Sequence, residues 1–381
     1  MPKRGKPIGI SLFSGAGGLD IGLESAGFDI KAFVELDSYS CQTLRKNSPD
    51  KQVIEADITK LDVSEALRLA NLRKEDVFII SGGPPCQSFS TLGNRKGVND
   101  PRGLLFYEYL RFVKEIQPEV FVMENVKGLL TIDNGEVIKT MVNELKRAGY
   151  YVNYTILRAA DYGVPQKRER VVILGCKSKK FAFPTPTHAR EPIKGQKNWV
   201  TVRQAFKKLT KTHLKREDNL RMDHSQAMID RMKLVAPGKN FKSIPKEFLP
   251  DCWKNGKHQG ADTFGRLLLD TPSVTIRTAA YNPTKGRYIH PTEHRGLSTL
   301  EMAVLKGFPL DYKFVGNLKE IGKQIGNAVP PPLARVIGNT ILKQTMSHDL
   351  RIELSSAQTE YELSNRRITE FTNGRHYVSS P

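Results

Sequence analysis

Strand-like and helix-like segments alternate along roughly the first 175 residues of the chain. Short apolar runs typical of strands occur at 8–13, 30–35, 52–54, 77–81, 120–123, 151–157 and 170–175, and helical patterns lie between them at 17–26, 38–47, 63–72, 104–116 and 137–148. Such alternation is typical of βαβ units, in which parallel strands pair and helices cover both faces of the sheet. We therefore predict an α/β fold with a doubly wound, mostly parallel sheet.

The pattern changes near residue 183, where prolines at 184, 186 and 192 interrupt regular structure. A less periodic stretch follows, and helical patterns return at 298–305 and 331–346, the second of which opens with prolines that suit a first helical turn. No repeats are evident. We expect a first domain at 1–184, a second, smaller domain at 185–290, a return to the first domain at 291–346, and a polar tail at 347–381.

The net charge is +19, and it is unevenly distributed. Residues 191–290 contain 20 Lys and Arg against 9 Asp and Glu, so about a quarter of the chain carries more than half of the excess. A soluble protein that is simply basic could have the same net charge, but an excess of positive charge concentrated in one stretch favours a binding surface. The charge therefore predicts a polyanionic partner for the second domain.

The chain offers no apolar run near the ~18 residues that span a bilayer. Its basic start leads into a short strand-like run rather than a signal peptide, so we expect a cytosolic protein with no membrane contact. Four cysteines, at 41, 86, 176 and 252, form no CxxC pair. They predict reduced thiols rather than disulfides, and we expect no metal site.

A glycine-rich turn at residues 12–18, Leu-Phe-Ser-Gly-Ala-Gly-Gly, follows the first strand and opens a helix. Glycines let the backbone approach a ligand closely, and a helix N-terminus favours polar or negative groups. Glu35 ends the second strand, where a carboxylate can accept hydrogen bonds from ribose hydroxyls, and Asp57 follows the third, where it can accept from an adenine amino group. A nicotinamide dehydrogenase would share these features, and a tight turn without a ligand also remains open.

The loop at residues 81–90, Ser-Gly-Gly-Pro-Pro-Cys-Gln-Ser-Phe-Ser, follows the strand at 77–81. By the crevice rule for open α/β sheets, it lies at the carboxyl edge of the sheet. An isolated cysteine is more often a buried structural residue, but a loop fixed by two glycines and two prolines disfavours that role. Because a thiolate is strongly nucleophilic, the loop predicts that Cys86 is a nucleophile.

Two charged segments should lie near that loop. Glu124 follows the next strand, and neighbouring parallel strands end side by side, so we expect it near Cys86 as a candidate proton donor. A Glu that caps the following helix is the alternative. Arg168 and Arg170 enter a strand at alternate positions, so they share one face and are candidates to hold phosphate or a substrate base, although a solvated strand start would look similar.

Taken in order, these segments resemble the motif set of the cytosine-5 DNA methyltransferases. The matching stretches are 13–18 (FSGAGG), 83–87 (GPPCQ), 124–126 (ENV), 166–170 (QKRER), Arg295 through 308–309 (FP), and 324–330 (QIGNAVP). The resemblance covers about residues 8–180 and 288–345. It implies the sheet of an S-adenosylmethionine-dependent methyltransferase and, at 185–290, a DNA-recognition domain.

The resemblance also implies a chemistry. Cys86 attacks carbon 6 of a cytosine flipped out of the duplex, Glu124 supports protonation at ring nitrogen 3, and Arg168 helps to hold the base. Carbon 5 then accepts a methyl group from S-adenosyl-L-methionine. The implied catalytic residues are Cys86, Glu124, Arg168 and Arg170; the implied cofactor residues are Phe13, Gly15, Gly17, Gly18, Glu35, Asp57, Ile58, Pro85, Leu105 and Asn327; the implied DNA contacts are Gln87, Ser90, Gln166 and Arg277.

Two departures from the family pattern affect the cofactor pocket. Leu36 stands where many members carry an aromatic residue after the ribose-binding acid, and Ser11 replaces an acid often found before Leu-Phe. Neither change removes a reacting group.

The resemblance further implies a bacterial setting. We expect a monomer that acts on double-stranded DNA in the cytoplasm, at the nucleoid, with a cognate restriction endonuclease as a genetic rather than physical partner. Three alternatives remain at this stage: a transfer-RNA cytosine-5 methyltransferase with the same chemistry, an oxidoreductase that uses the same glycine turn, and a catalytically dead DNA-binding module.

Overall fold

A computed structural model describes residues 5–85, 104–254 and 262–346. The predictions that concern Cys86, Gln87, Ser90 and the tail at 347–381 therefore lie outside the described residues. Within the described ranges, no helix is both long enough and apolar enough to cross a membrane.

Seven strands form one sheet in the order β3-β2-β1-β4-β5-β7-β6. All neighbouring pairs from β3 to β5 are parallel, and β7 runs antiparallel to both β5 and β6. The predicted α/β class with a mostly parallel sheet is therefore confirmed. The strands are β1 (Ile8–Leu12), β2 (Asp29–Glu35), β3 (Gln52–Glu55), β4 (Val77–Gly82), β5 (Val120–Val126), β6 (Tyr151–Arg158) and β7 (Glu169–Cys176).

Helices cover both faces of this sheet because each carries an apolar stripe that needs a partner. On one face, Phe112 and Leu145 belong to a core that includes Ile10 and Ile80. On the other, Leu23 and Ile337 belong to a core that includes Ile79. The helices of the two faces are α1 (Gly18–Ala26), α2 (Ser38–Asn47), α3 (Val63–Leu69), α4 (Leu104–Ile116), α5 (Glu136–Arg147) and, from the far end of the chain, α12 (Pro331–Met346).

The region after residue 183 contains short elements that the sequence pattern did not reveal. They are the two-residue strands β8 (His188–Ala189) and β9 (Lys197–Asn198) and the helices α6 (Val202–Phe206), α7 (Lys211–Leu214), α8 (Gln226–Lys233) and α9 (Asp251–Lys254). Two longer helices follow, α10 (Thr299–Lys306) and α11 (Leu318–Asn327). The prediction at 298–305 matches α10 within one residue, and α11 was not predicted.

Two apolar clusters organise this region. Met232, Phe241 and Phe264 belong to a small core made entirely from residues 228–289. A larger core joins Val202 and Ile276 to residues of α10 and α11. The segment 185–290 therefore has a core of its own and also packs on the segment 291–346, and its status as a separate domain stays a prediction.

The buried guanidinium of Arg266 holds the small core together. It donates to the backbone oxygens of Met232, Val235, His290 and Glu293, each at 2.6 Å. Arg266 is buried, and burial lowers the pKa of its guanidinium. Most of its hydrogen bonds go to buried backbone carbonyls, so this one side chain provides the hydrogen-bond donor for several acceptors that water cannot reach.

We expect Arg266→Met to lower the free energy of unfolding by about 3 kcal/mol or more, because it leaves several buried carbonyls without a donor. Urea unfolding followed by circular dichroism measures the change. Arg203→Met is the matched control: Arg203 pairs with Asp270 on the surface, so its loss should shift stability by less than about 0.5 kcal/mol. Equal stability of the two variants would contradict the role given to Arg266.

Candidate active site

A cavity of about 720 Å³ opens at the carboxyl ends of β1, β2, β4 and β5. The chain crosses from one side of the sheet to the other between β1 and β4, so the cavity lies at the switch point where open α/β sheets bind ligands. Of the residues predicted for cofactor or catalysis, the cavity is lined by Phe13, Gly15, Gly18, Glu35, Asp57, Ile58, Pro85, Leu105, Glu124, Arg168, Arg170 and Asn327.

Glu35 is fixed at the end of β2 by backbone donors. Its Oε2 accepts from Gly15 N at 2.7 Å, and its Oε1 accepts from Leu36 N at 2.9 Å and Asp37 N at 2.8 Å. Each carboxylate oxygen can accept more than one hydrogen bond. The side chain is thus held rigid at the cavity wall and retains acceptor capacity for a pair of hydroxyl groups.

The glycine turn places backbone rather than side chains at the cavity. Gly17 has φ +71°, a left-handed conformation that favours glycine, and it precedes α1. A Cβ on Gly18 would lie 2.4 Å from Val329 O, so only glycine fits between the turn and that segment. Gly17, predicted to line the cofactor pocket, is not among the residues that line the cavity, and it shapes the turn instead.

Asp57 lies on the same wall after β3. Its Oδ1 accepts from Thr59 N at 3.0 Å and Thr59 Oγ1 at 2.8 Å, and these bonds lower the pKa of the carboxyl. Leu36 also lines the cavity with an exposed side chain. The cavity therefore presents a branched aliphatic side chain at the position where the resemblance noted above implies an aromatic one.

Glu124 lies inside β5 rather than after it, because residues 124–126 pair with β7. Its Oε1 is 2.7 Å from Arg170 Nε in an ion pair that is largely buried. Its Oε2 would be 3.3 Å from a Cβ built on Gly83. Asn125 Nδ2 donates to Pro84 O at 2.9 Å. The end of β5 is therefore attached to the loop that leads towards Cys86.

Arg168 is almost completely buried at the junction of three segments. Its Nη1 donates to Ile276 O at 3.4 Å and its Nη2 to Asn327 O at 3.3 Å, while its Nε has no partner among the described residues. Burial and the nearby Arg170 lower the pKa of Arg168 to about 9, so it stays charged at neutral pH. An unpartnered buried donor at a cavity wall suits a ligand with a carbonyl oxygen.

Lys306, at the end of α10, was not singled out from the sequence. Its Nζ donates to Ile276 O and Gly326 O, each at 3.1 Å, so it shares the Ile276 acceptor with Arg168. Burial and Arg168 lower its pKa well below the usual lysine value. A lysine in an apolar helix ordinarily indicates a solvated end, so the sequence carried no signal for this position.

Gln166 and Arg277 were predicted to contact DNA. The structure buries Gln166: its Nε2 donates to Leu305 O at 2.9 Å, and its Oε1 accepts from Ile276 N at 3.2 Å. Arg277 is exposed. Arg277 is therefore accessible to a partner, as predicted for a DNA contact. The Gln166 side chain instead links the residues that precede β7 to the backbone at Leu305 and Ile276. No group of three or more metal-ligating side chains occurs in the described ranges.

The sheet and its cavity together define an α/β enzyme whose site suits a nucleoside-containing cofactor. Comparison with known proteins specifies the family: residues 9–343 match the model of the C-5 cytosine-specific DNA methylases. The chain belongs to this family. The expected DNA cytosine-5 methyltransferase is thus confirmed in preference to the RNA enzyme and the oxidoreductase, and S-adenosylmethionine is the methyl donor.

Similar proteins span nearly the same length. The Type II methyltransferase M1.HphI of Haemophilus parahaemolyticus is 37% identical over 341 residues, which are 88% of this chain and 86% of that protein. The Type II methyltransferase M.NgoFVII of Neisseria gonorrhoeae is 34% identical over 375 residues, 97% and 96% of the two chains. A prophage-encoded Escherichia coli protein, described as a DNA modification methyltransferase, has the same fold, with a TM-score of 0.68 at 24% identity over 90% of this chain and all of its own.

Proposed function

We propose that this chain is the modification enzyme of a bacterial restriction–modification system, and that it methylates carbon 5 of a flipped-out cytosine through a covalent adduct with Cys86. One observation carries the proposal. A single cavity joins the backbone-anchored Glu35, which suits a ribose, to the Glu124–Arg170 pair beside the loop that leads to Cys86. The similar Type II methyltransferases support the biological setting.

The cavity residues fit S-adenosylmethionine. Glu35 would hold the ribose hydroxyls, Asp57 and Ile58 the adenine, and the glycine turn the remaining backbone contacts, with Gly18 leaving room for close approach. Phe13, Pro85, Leu105 and Asn327 complete the wall. When bound, the cofactor supplies an electrophilic methyl group on its sulfonium.

The chain's own residues activate the substrate base. An aromatic carbon 5 is a poor nucleophile until the ring conjugation is broken. The Cys86 thiolate donates an electron pair to carbon 6, and the electrons of the 5,6 double bond move into the ring while nitrogen 3 is protonated with help from Glu124. Arg168, whose buried Nε has no partner among the described residues, helps to hold the base, and Arg170 fixes the Glu124 carboxyl. After carbon 5 accepts the methyl group, a base removes the proton from carbon 5, the 5,6 double bond re-forms as the carbon–sulfur bond breaks, Cys86 leaves as a thiolate, and nitrogen 3 releases its proton.

The basic segment 185–290 serves, in this proposal, as the DNA-recognition domain. Its lysines and arginines would mostly contact phosphates, which position the duplex without reading sequence. We propose that the protein acts as a monomer at the bacterial nucleoid, where its substrate is found, and that the matching endonuclease is linked to it genetically.

Bisulfite sequencing tests this function directly. Genomic DNA from a host that expresses the chain should contain 5-methylcytosine at one short sequence and at almost every copy of it. A host that expresses the same chain with Cys86→Ala is the matched control and should show none. Unmodified DNA in both hosts, or methylation confined to transfer RNA, would contradict the proposal.

Binding to DNA should weaken steeply with salt, because each neutralised phosphate releases counterions and contributes about −0.9 to the slope of log K against log salt. We expect Arg277→Gln to reduce the magnitude of that slope by about 1. Lys74→Gln, on an exposed turn before β4, is the control and should leave the slope unchanged. Fluorescence anisotropy with a labelled duplex measures both; an unchanged slope in Arg277→Gln would remove that residue from the DNA surface.

A further inference from the structure

Asp20, in the first turn of α1, is a buried acid that the proposed mechanism does not use. It lines the cofactor cavity, and only 1% of its surface is exposed. Its Oδ1 accepts from Ser81 Oγ at 3.1 Å, and the side chain of Ser11 also lowers the pKa of this carboxyl. Its Oδ2 has no hydrogen-bond partner among the described residues. One oxygen of a buried carboxyl thus remains without a donor at the wall of a ligand site.

Such an arrangement is unfavourable in the unliganded protein. Burying a carboxylate without a full set of donors costs free energy, and the group responds by holding its proton. Burial, together with the negative charge of Glu24, raises the pKa of Asp20 to about 7 against the lowering effect of the two serine hydroxyls. At neutral pH, Asp20 is therefore poised between its charged and neutral forms.

No neighbouring group among the described residues donates a hydrogen bond to Asp20 Oδ2. Glu24 itself pairs with Lys51, and the Tyr312 hydroxyl, which lies near the turn, donates to Ala16 O at 2.8 Å. The helix α12 packs along α1, where Arg335 approaches Gly22 through its backbone nitrogen. The titratable and charged groups that the surrounding elements bring towards α1 are Glu24, Lys51 and Tyr312.

A ligand that brings a positive charge and an N–H donor would complete this site. S-adenosylmethionine carries two positive groups. Its sulfonium has no hydrogen to donate, whereas its α-ammonium has three. We propose that Asp20 Oδ2 accepts a hydrogen bond from the α-ammonium group of the cofactor, so that Asp20 is a cofactor-binding residue for the methionine end. This inference rests on the proposed function, because it assumes that S-adenosylmethionine fills the cavity.

The inference makes cofactor binding depend on pH in a defined direction. The ammonium group favours the ionised carboxylate, so bound Asp20 must release its proton. Below the pKa of the free protein, that proton opposes binding; above it, the opposition disappears. Affinity should therefore rise by about tenfold between pH 6 and pH 8, as expected for one group with a pKa of about 7.

Two probes isolate the contact in a calorimetric titration of the whole protein. S-adenosylhomocysteine has the α-ammonium group, and 5′-methylthioadenosine lacks the whole amino-acid end. We expect Asp20→Asn to weaken S-adenosylhomocysteine roughly 10- to 100-fold, as for a lost hydrogen bond between charged groups, and to change 5′-methylthioadenosine less than about twofold. The variant should also lose the pH dependence seen with S-adenosylhomocysteine.

Ser81→Ala provides a second test that keeps the carboxylate. Because the Ser81 hydroxyl lowers the pKa of Asp20, its removal should move the midpoint of the pH dependence to higher pH, with 5′-methylthioadenosine binding preserved. Equal weakening of both probes in Asp20→Asn, or a flat pH profile in the wild type, would overturn the role of Asp20 alone. A wild type that binds neither probe would overturn both this inference and the proposed function.

Discussion

Cys86→Ala is expected to lower the rate of methyl transfer by at least about 10⁴-fold while leaving affinity for DNA largely intact. The loss follows because no other group in the proposed mechanism can add to carbon 6 and break the ring conjugation. DNA affinity comes mainly from phosphate contacts elsewhere, so it should survive. Transfer of tritiated methyl groups to duplex DNA, measured together with anisotropy, separates the two effects.

The other thiols give matched controls for this result. Cys41 is buried, and burial raises the pKa of its thiol to about 12, so it holds no useful thiolate at neutral pH. Cys252 is exposed in the segment 185–290, and Cys252→Ala should transfer methyl groups at a normal rate. Activity retained in Cys86→Ala, or lost in Cys252→Ala, would contradict the assignment of the nucleophile.

Glu124→Gln is expected to slow methyl transfer by roughly 10²- to 10⁴-fold, the range typical of lost acid–base catalysis. Glutamine has nearly the same shape, so it can remain beside Gly83 and Arg170, but it cannot carry the negative charge that pairs with Arg170 and that would stabilise a protonated ring nitrogen. Single-turnover kinetics with saturating DNA and cofactor measure the chemical step apart from binding.

Glu169→Gln is the control for that experiment. Glu169 lies at the start of β7 and pairs with Lys127 and Arg158 near the surface, so it has the same chemistry outside the cavity. We expect its rate to change by no more than a few-fold. A near-normal rate in Glu124→Gln, or an equal loss in both variants, would remove Glu124 from the mechanism.

Much of the sheet was predictable because its strands are short apolar runs separated by amphipathic helices. The predicted ranges differ from the observed strands by three residues at most, and the largest difference occurs in β5, which continues to Val126 through pairing with β7. That pairing depends on a contact with a strand more than forty residues later, so the local sequence of β5 does not reveal it. The antiparallel direction of β7 follows from its short connection to β6, which contains no crossover α-helix.

The helix α11 was missed because two glycines lower its helical propensity. The structure gives the reason for both. A Cβ on Gly326 would lie 2.2 Å from Thr278 N, and one on Gly322 would lie 2.5 Å from Thr278 O. The helix thus packs directly on the backbone of a segment almost fifty residues earlier. Such contacts between distant parts of the chain leave no local pattern.

The candidate site likewise contains some residues that the sequence predicted and others that it did not. Glu35, Asp57 and Glu124 could be predicted because each lies at or near the carboxyl end of a strand of the sheet. Asp20 and Lys306 could not, because an acid in a first helical turn and a lysine in a last turn ordinarily indicate favourable helix ends. Here both side chains are buried, since the segment 328–335 packs against α1 near Asp20 and the backbone oxygens of Ile276 and Gly326 contact Lys306.

Covalent trapping tests the central claim most directly. A duplex with 5-fluorocytosine at the modified position blocks the final step, because the fluorine cannot be removed as a proton can. With S-adenosylmethionine present, the protein should form a stable adduct with this DNA, and peptide mass spectrometry should locate the modified sulfur at Cys86. Absence of an adduct in a protein that methylates ordinary DNA, or an adduct at another residue, would contradict the mechanism.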